Sequence, residues 1–337
     1  EKLFLLLLQK REEAAINFAV VKPSIKVIDS ASSTKKPINP DRTISYIGSI
    51  LLSLFLPAIF IHVWLLFDSK VHTRDQLNNL LGQLPIVGEI PYIQKKDNSD
   101  LTKLLPTTSR SMLLESIRMI IANLNFILFN ENSSDKKNNL ILVTSSIKGE
   151  GKTIVSVNFS SILSTKFNKI LLIGADLRNP QIHKFLGIDK STKGLSDYIY
   201  DNNLKWEDLI YSNKEFDILL SGTIPPNPTE LLSSDKFGKF LDIVKSKYDY
   251  IVIDSAPCLL VSDTFEISKY VDTTLYVVRS NFSDIKLCDF IGESVKQGKI
   301  SNVNLVLNGV GNSSAYGYRY GYQYGYKYGY KYGYNYG

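Results

Sequence analysis

The clearest chemistry lies in Ser146-Ile147-Lys148-Gly149-Glu150-Gly151-Lys152-Thr153. This segment follows an apolar run at 140–144 and opens a stretch with helical spacing. Strand, glycine-rich turn and helix, in that order, is the setting of a phosphate-binding loop. Glycines let backbone N–H groups approach phosphate oxygens, and the start of a helix adds positive potential. Lys152 is expected to hold the β- and γ-phosphates of ATP, and the Thr153 hydroxyl to ligate Mg2+. The expected nucleotide-binding set is Gly149, Glu150, Gly151, Lys152, Thr153 and Ile154. Ser146 stands where the strict pattern has glycine.

Two further apolar runs end in acid. Residues 170–173 lead into Gly174-Ala175-Asp176-Leu177-Arg178, and residues 250–253 into Asp254-Ser255-Ala256-Pro257. An aspartate at the carboxyl end of a parallel strand faces the crevice where ligands bind. There it can hold a magnesium ion or its water. Asp176 and Asp254 are therefore candidate metal and catalytic residues beside Lys152 and Thr153. Asn308, after the apolar run 303–307, is a candidate reader of the adenine edge, and a turn residue is the other reading. Arg279 is expected near the nucleotide or at the surface. His62, His72 and His183 show no metal spacing, nothing near Cys258 marks it as a nucleophile, and Asp263 reads as structural.

The C-terminus is of another kind. Tyr316, Tyr318, Tyr320, Tyr322, Tyr324, Tyr326, Tyr328, Tyr330, Tyr332, Tyr334 and Tyr336 alternate with glycine and with Arg319, Gln323, Lys327, Lys331 and Asn335. Such glycine content disfavours helix and weakens strand, so a disordered tail is expected. Behind an ATP-binding domain its tyrosines are candidate phosphate acceptors, and a stacking or adhesive low-complexity segment is the other reading.

The elements that must carry these residues follow from periodicity. Apolar runs at 140–144, 170–173, 217–220, 250–253, 274–278 and 303–307 alternate with helical stretches. That pattern predicts an α/β fold of P-loop NTPase type, a parallel sheet with helices on both faces. Upstream, residues 44–67 contain no Asp, Glu, Lys or Arg. As a helix they would extend about 36 Å, enough for a hydrocarbon core of about 30 Å. Tyr46 and Trp64 sit near the ends as interface anchors. Basic residues flank both ends, so the positive-inside rule barely decides orientation; nucleotide is cytoplasmic, and the C-terminal side is expected there. The expected organisation is an extracytoplasmic remnant at 1–43, a transmembrane helix at 44–67, a juxtamembrane linker at 68–110, a P-loop domain at 111–315 and the tail at 316–337. The chain begins at Glu1 within an apolar segment, which reads as part of a longer protein. A net charge of +6 over 337 residues is too mild for a nucleic-acid binder. Two distant cysteines exclude a disulfide framework or a cysteine-rich zinc site.

Taken together, GEGKT at 149–153, LLIGADLR at 171–178, IVIDSAP at 251–257 and the tyrosine cluster resemble the bacterial tyrosine kinases (BY-kinases) of capsule and exopolysaccharide export. LLLLQKREEAAI at 5–16 resembles the end of that family's chain-length-determinant module. QLPIVGEIPYI at 83–93 resembles its juxtamembrane segment, and Glu115-Ser116-Ile117-Arg118 the start of its oligomerisation motif. The resemblance implies an inner-membrane protein-tyrosine autokinase that uses Mg·ATP, with a cytoplasmic kinase domain that forms homo-oligomers. It implies as partners a polysaccharide export outer-membrane protein, a polymerase and a tyrosine phosphatase. Two positions depart from the family pattern. Gly174 replaces the first Asp of Asp-x-Asp, which weakens metal or base chemistry, and Ile121 replaces the second Arg of Glu-x-x-Arg-x-x-Arg, which weakens subunit contacts. These departures keep a second reading open: a non-catalytic nucleotide-binding scaffold or chain-length regulator of the same machinery. A partition-type ATPase is disfavoured by the membrane span and the tail.

Overall fold

The computed structural model describes residues 1–20, 28–29, 33, 41–92, 112–130, 140–167, 169–213 and 215–311. The tyrosine cluster, and the part of the expected linker at 93–110, lie outside the described residues. The chain divides into two units, Glu1–Phe67 and Asp68–Gly337.

The first unit holds helices α1 (Lys2–Val20) and α2 (Arg42–Leu66). Within α2, Ile44, Ile47, Ile50, Leu51, Leu54, Phe55 and Ile59 are all exposed, so apolar side chains face outward around the helix. A helix that is apolar all round and uncovered by protein suits lipid. It is long and apolar enough to cross a membrane. Its polar side chains turn back onto the backbone: Ser49 Oγ donates to the Ser45 carbonyl at 2.8 Å and Ser53 Oγ to the Ile50 carbonyl at 2.8 Å. Hydrocarbon would offer those hydroxyls no partner.

The second unit is built on eight strands: β1 (Ile86–Pro91), β2 (Leu140–Ser145), β3 (Ile170–Gly174), β4 (Ile210–Ser212), β5 (Asp217–Leu219), β6 (Tyr250–Asp254), β7 (Thr273–Arg279) and β8 (Val303–Val310). Their order is β1-β8-β7-β2-β6-β3-β5-β4, and every pairing is parallel except β4 with β5. The helices are α3 (Arg74–Leu81), α4 (Met112–Asn130), α5 (Lys152–Ser164), α6 (Ile182–Leu186), α7 (Leu195–Tyr200), α8 (Pro228–Leu232), α9 (Asp235–Lys247), α10 (Asp263–Ser268) and α11 (Ile285–Lys296). Strand residues alternate between cores. Ile141, Val143, Leu172 and Val252 pack with α4 and α5 on one face. Leu142, Leu171, Ile173 and Ile251 pack with α7 and α9 on the other. Burial on both faces explains why these strands read as unbroken apolar runs rather than alternating ones.

All six predicted strands form, and two more appear. Residues 68–92, expected to belong to the linker, contribute α3 and the edge strand β1, which pairs with β8. Gly88 and Pro91 read as chain breakers for physical reasons that the tertiary structure reverses. A β-carbon on Gly88 would lie 2.4 Å from Ile120 Cγ1, so the glycine admits α4 onto the sheet. Pro91 sits on an edge strand, where its missing N–H costs little. Strand β4 is only three residues long and escapes any period-two test.

Candidate nucleotide and phosphate site

Strand β2 ends between β6 and β7, and the loop that follows turns directly into α5. Gly149 and Gly151 adopt φ of 95° and 102°, the left-handed region that glycine tolerates best. A β-carbon on Gly151 would also lie 2.2 Å from Asn308 Nδ2. Ser146 has no such requirement: it is absent from the positive-φ residues, it is buried, and its hydroxyl lies 3.0 Å from the Tyr276 hydroxyl. The departure from the strict glycine pattern is therefore accommodated by a buried polar contact.

The loop is braced from three directions. Asn308 Nδ2 donates to the Glu150 carbonyl at 2.7 Å, and Arg279 Nη1 to the Gly149 carbonyl at 2.8 Å. The Glu150 carboxylate turns inward, accepting from the Ile147 amide at 2.8 Å and from the Ser283 hydroxyl. Burial raises the Glu150 pKa above the ordinary carboxylate value, against the lowering effect of these donors. Ile154 is half-buried and packs onto the core beneath the loop.

The predicted charged residues converge. Lys152 Nζ lies 3.1 Å from Asp176 Oδ2, with both side chains almost wholly buried. Asp176 Oδ1 accepts from the Asn179 amide at 2.9 Å. Asp254 is fully enclosed and accepts from Thr153 Oγ1 at 2.9 Å and from Ser156 Oγ at 2.9 Å. Burial pushes its pKa up to about 6; the Lys152 charge opposes that rise and the Asp176 charge adds to it. One lysine thus serves two carboxylates. The donors around Thr153, Asp176 and Asp254 are all oxygen, the set that suits magnesium, which keeps waters and phosphate oxygens as its other ligands. Among the described residues no group of three or more His, Cys, Asp or Glu could hold a metal by protein ligands alone.

Gly174 has a packing explanation. A β-carbon there would lie 2.7 Å from Ser221 Oγ and 3.0 Å from the Ser221 amide nitrogen. Ile121 is buried in the core against the sheet, while Glu115 and Arg118 pair one turn earlier on α4. Both cysteines are buried, and burial pushes each thiol up to about 11, away from nucleophile chemistry. Sequence reasoning missed Ser156, Ser283 and Tyr276 as parts of the site. Ser156, at one helical turn from Lys152, could have been found; Ser283 and Tyr276 lie more than a hundred residues from the loop and carry no local signal.

Comparisons with known proteins place the fold among kinase domains. The AAA domain family matches residues 138–281. Over 329 residues the chain is 32% identical to a protein of Klebsiella pneumoniae described as a tyrosine-protein kinase in the cps region, covering 91% of this chain and 43% of that one. The kinase domain of the Escherichia coli tyrosine kinase ETK superposes with a TM-score of 0.64 at 27% identity, covering 74% of this chain and 99% of that domain. The VpsO kinase domain is 33% identical, with a TM-score of 0.50, covering 57% of this chain and 94% of that domain. The chain spans less than half the length of the curated relatives it matches. By its phosphate loop, its two acidic strand ends and these likenesses, the chain belongs to the bacterial tyrosine kinase (BY-kinase) family of capsule and exopolysaccharide systems.

Proposed function

We propose that the chain is the catalytic part of an inner-membrane protein-tyrosine autokinase whose acceptors are the tail tyrosines 316–336. The observation that carries this reading is the convergence of Lys152, Thr153, Asp176 and Asp254 at one loop, in a chain that ends in a tyrosine cluster. Lys152 and the loop N–H groups position the phosphates of ATP. Thr153 and Asp254 would hold magnesium, which when bound neutralises charge developing on the phosphate oxygens. Asp176 assists the metal or takes the phenol proton, since tyrosine ionises only near pH 10 unaided. The phenol oxygen forms the new bond to γ-phosphorus, and the bond to the bridging oxygen breaks. ADP leaves with that electron pair. Asn308 holds the loop and leaves its amide oxygen for the adenine edge.

In the same reading residues 1–43 lie outside and residues 68–337 in the cytoplasm, so externally added protease should spare the tail. The chain would assemble through its cytoplasmic domain with copies of itself. It would serve an outer-membrane export protein and a polymerase, and be reset by a tyrosine phosphatase. The competing reading, a nucleotide-binding scaffold without kinase activity, is favoured by Gly174 and Ile121. Incubating the chain in membrane vesicles with Mg·ATP decides between them. Phosphotyrosine should appear in the parent and fall at least about tenfold when residues 316–337 are deleted. A parent with no phosphotyrosine leaves the scaffold; a truncated chain labelled like the parent removes the tail as acceptor.

A further inference from the structure

A buried carboxylate that the mechanism above does not use is held by Arg178, two residues after Asp176. Asp263, at the start of α10, has no exposed surface. It accepts from Arg178 Nε at 2.8 Å and from Arg178 Nη2 at 3.0 Å, a two-pronged contact across elements 85 residues apart. Thr229, on α8, donates to the same carboxylate at 2.5 Å. Arg178 Nη2 also approaches Thr229 Oγ1 at 3.2 Å. Three elements thus meet on one guanidinium, whose own side chain is 42% exposed.

A fully buried carboxylate is costly unless its acceptors are satisfied, and here the donors are one arginine edge and one hydroxyl. The planar fork of arginine allows this division. Nε and Nη2 face Asp263, and among the described residues Nη1 has no hydrogen-bond partner. A lysine could not be held by one edge and present another. Arg178 stands two residues after Asp176, in the turn closed by the Asn179 amide on Asp176. The Asp263 contact raises the Arg178 pKa, and the Asp176 charge acts on it in the same direction.

We propose that Asp263, braced by Thr229, is a positioning residue: it fixes the Arg178 guanidinium beside the Lys152–Asp176 pair and leaves Nη1 for an oxygen of the phosphoryl group in transfer. The inference rests on the phosphoryl-transfer reading of this site, whatever the acceptor. It assigns a role to Asp263 that a helix-start residue would not have. Asp263→Asn should loosen the guanidinium and harm the in-flight phosphoryl group more than bound nucleotide.

The test measures binding of Mg·ADP to the full chain with and without aluminium fluoride, a planar stand-in for the phosphoryl group. The parent should bind more tightly with fluoride. Asp263→Asn should lose about 10- to 100-fold of that tightening while Mg·ADP affinity stays within about threefold. Arg178→Lys should lose as much, and the double variant no more than Arg178→Lys alone. Unchanged tightening in Asp263→Asn, or losses that multiply in the double variant, overturns the proposal, as does a parent that never tightens. Thr229→Val, which keeps the volume, should show a smaller loss of the same kind and covers the case where Asp263→Asn does not fold; parental behaviour there also overturns it. Phosphotyrosine followed in parallel keeps the two ideas apart. Fluoride tightening that depends on Asp263, with no phosphotyrosine, sinks the kinase reading and leaves this one.

Discussion

Two aspartates end two neighbouring parallel strands, yet their surroundings differ. Asp254 closes β6 with two hydroxyls as its donors and, among the described residues, no direct cation; Asp176 follows β3 with Lys152 against one oxygen and a backbone amide on the other. The sequence pattern around them is nearly the same: an apolar run, then acid. What separates them is where α5 begins. Its first residues point Lys152 at Asp176 and the Thr153 and Ser156 hydroxyls at Asp254. The hydroxyl-bonded carboxylate carries the cost of burial, and its pKa rises to about 6. The lesson is that a strand-end acid is defined by the helix face across from it, not by its own strand.

Lys152→Met should break this comparison most severely. It removes the cation shared by both carboxylates and the charge on the β/γ-phosphates, so Mg·ATP-dependent phosphotyrosine should fall by about 10³-fold or more. A variant that labels at the parental rate would remove the loop from the chemistry. Loss of a buried partner should also lower the melting temperature.

Asp254→Asn should sharpen the contrast, because activity and stability are expected to move in opposite directions. Phosphorylation should drop by about 10²-fold through lost metal and hydroxyl positioning. The raised pKa means that the stability contribution of the neutral acid is present below the ordinary value near 4 and lost as pH rises through about 6. Without nucleotide and magnesium, Asp254→Asn should therefore melt above the parent at pH 8, with the gap closing below pH 6. Asp176→Asn should show no such gain, since it strands Lys152. Melting curves of both variants from pH 5 to 8 check this; parallel curves would erase the distinction.

The smallest effect is expected at Gly174. Gly174→Ala adds a β-carbon against the Ser221 hydroxyl and backbone, so it should destabilise by about 1–3 kcal/mol. Unfolding in urea measures it. If Gly174→Ala is neutral, the glycine is not there for packing, and the missing carboxylate becomes the sole meaning of that position.

By itself, the sequence determined the parallel sheet, the glycine loop that opens α5 and the apolar helix. Each of these is a local pattern: buried strands need unbroken apolar runs, phosphate needs glycine before a helix start, and hydrocarbon tolerates few charges. Even the pairing of Lys152 with a strand-end acid was within reach, because strands of a parallel sheet end on the same side. The tertiary structure alone decided which acid took the lysine and which took the hydroxyls. It alone brought Ser283 to Glu150, Arg279 to Gly149 and Asp263 to Arg178. It also turned Gly88 and Pro91 from breaks into an edge strand under α4. These contacts join residues tens to more than a hundred positions apart. Partners at such separation are chosen by the packing of helices on both faces of the sheet, and nothing in the local pattern of residues carries that choice.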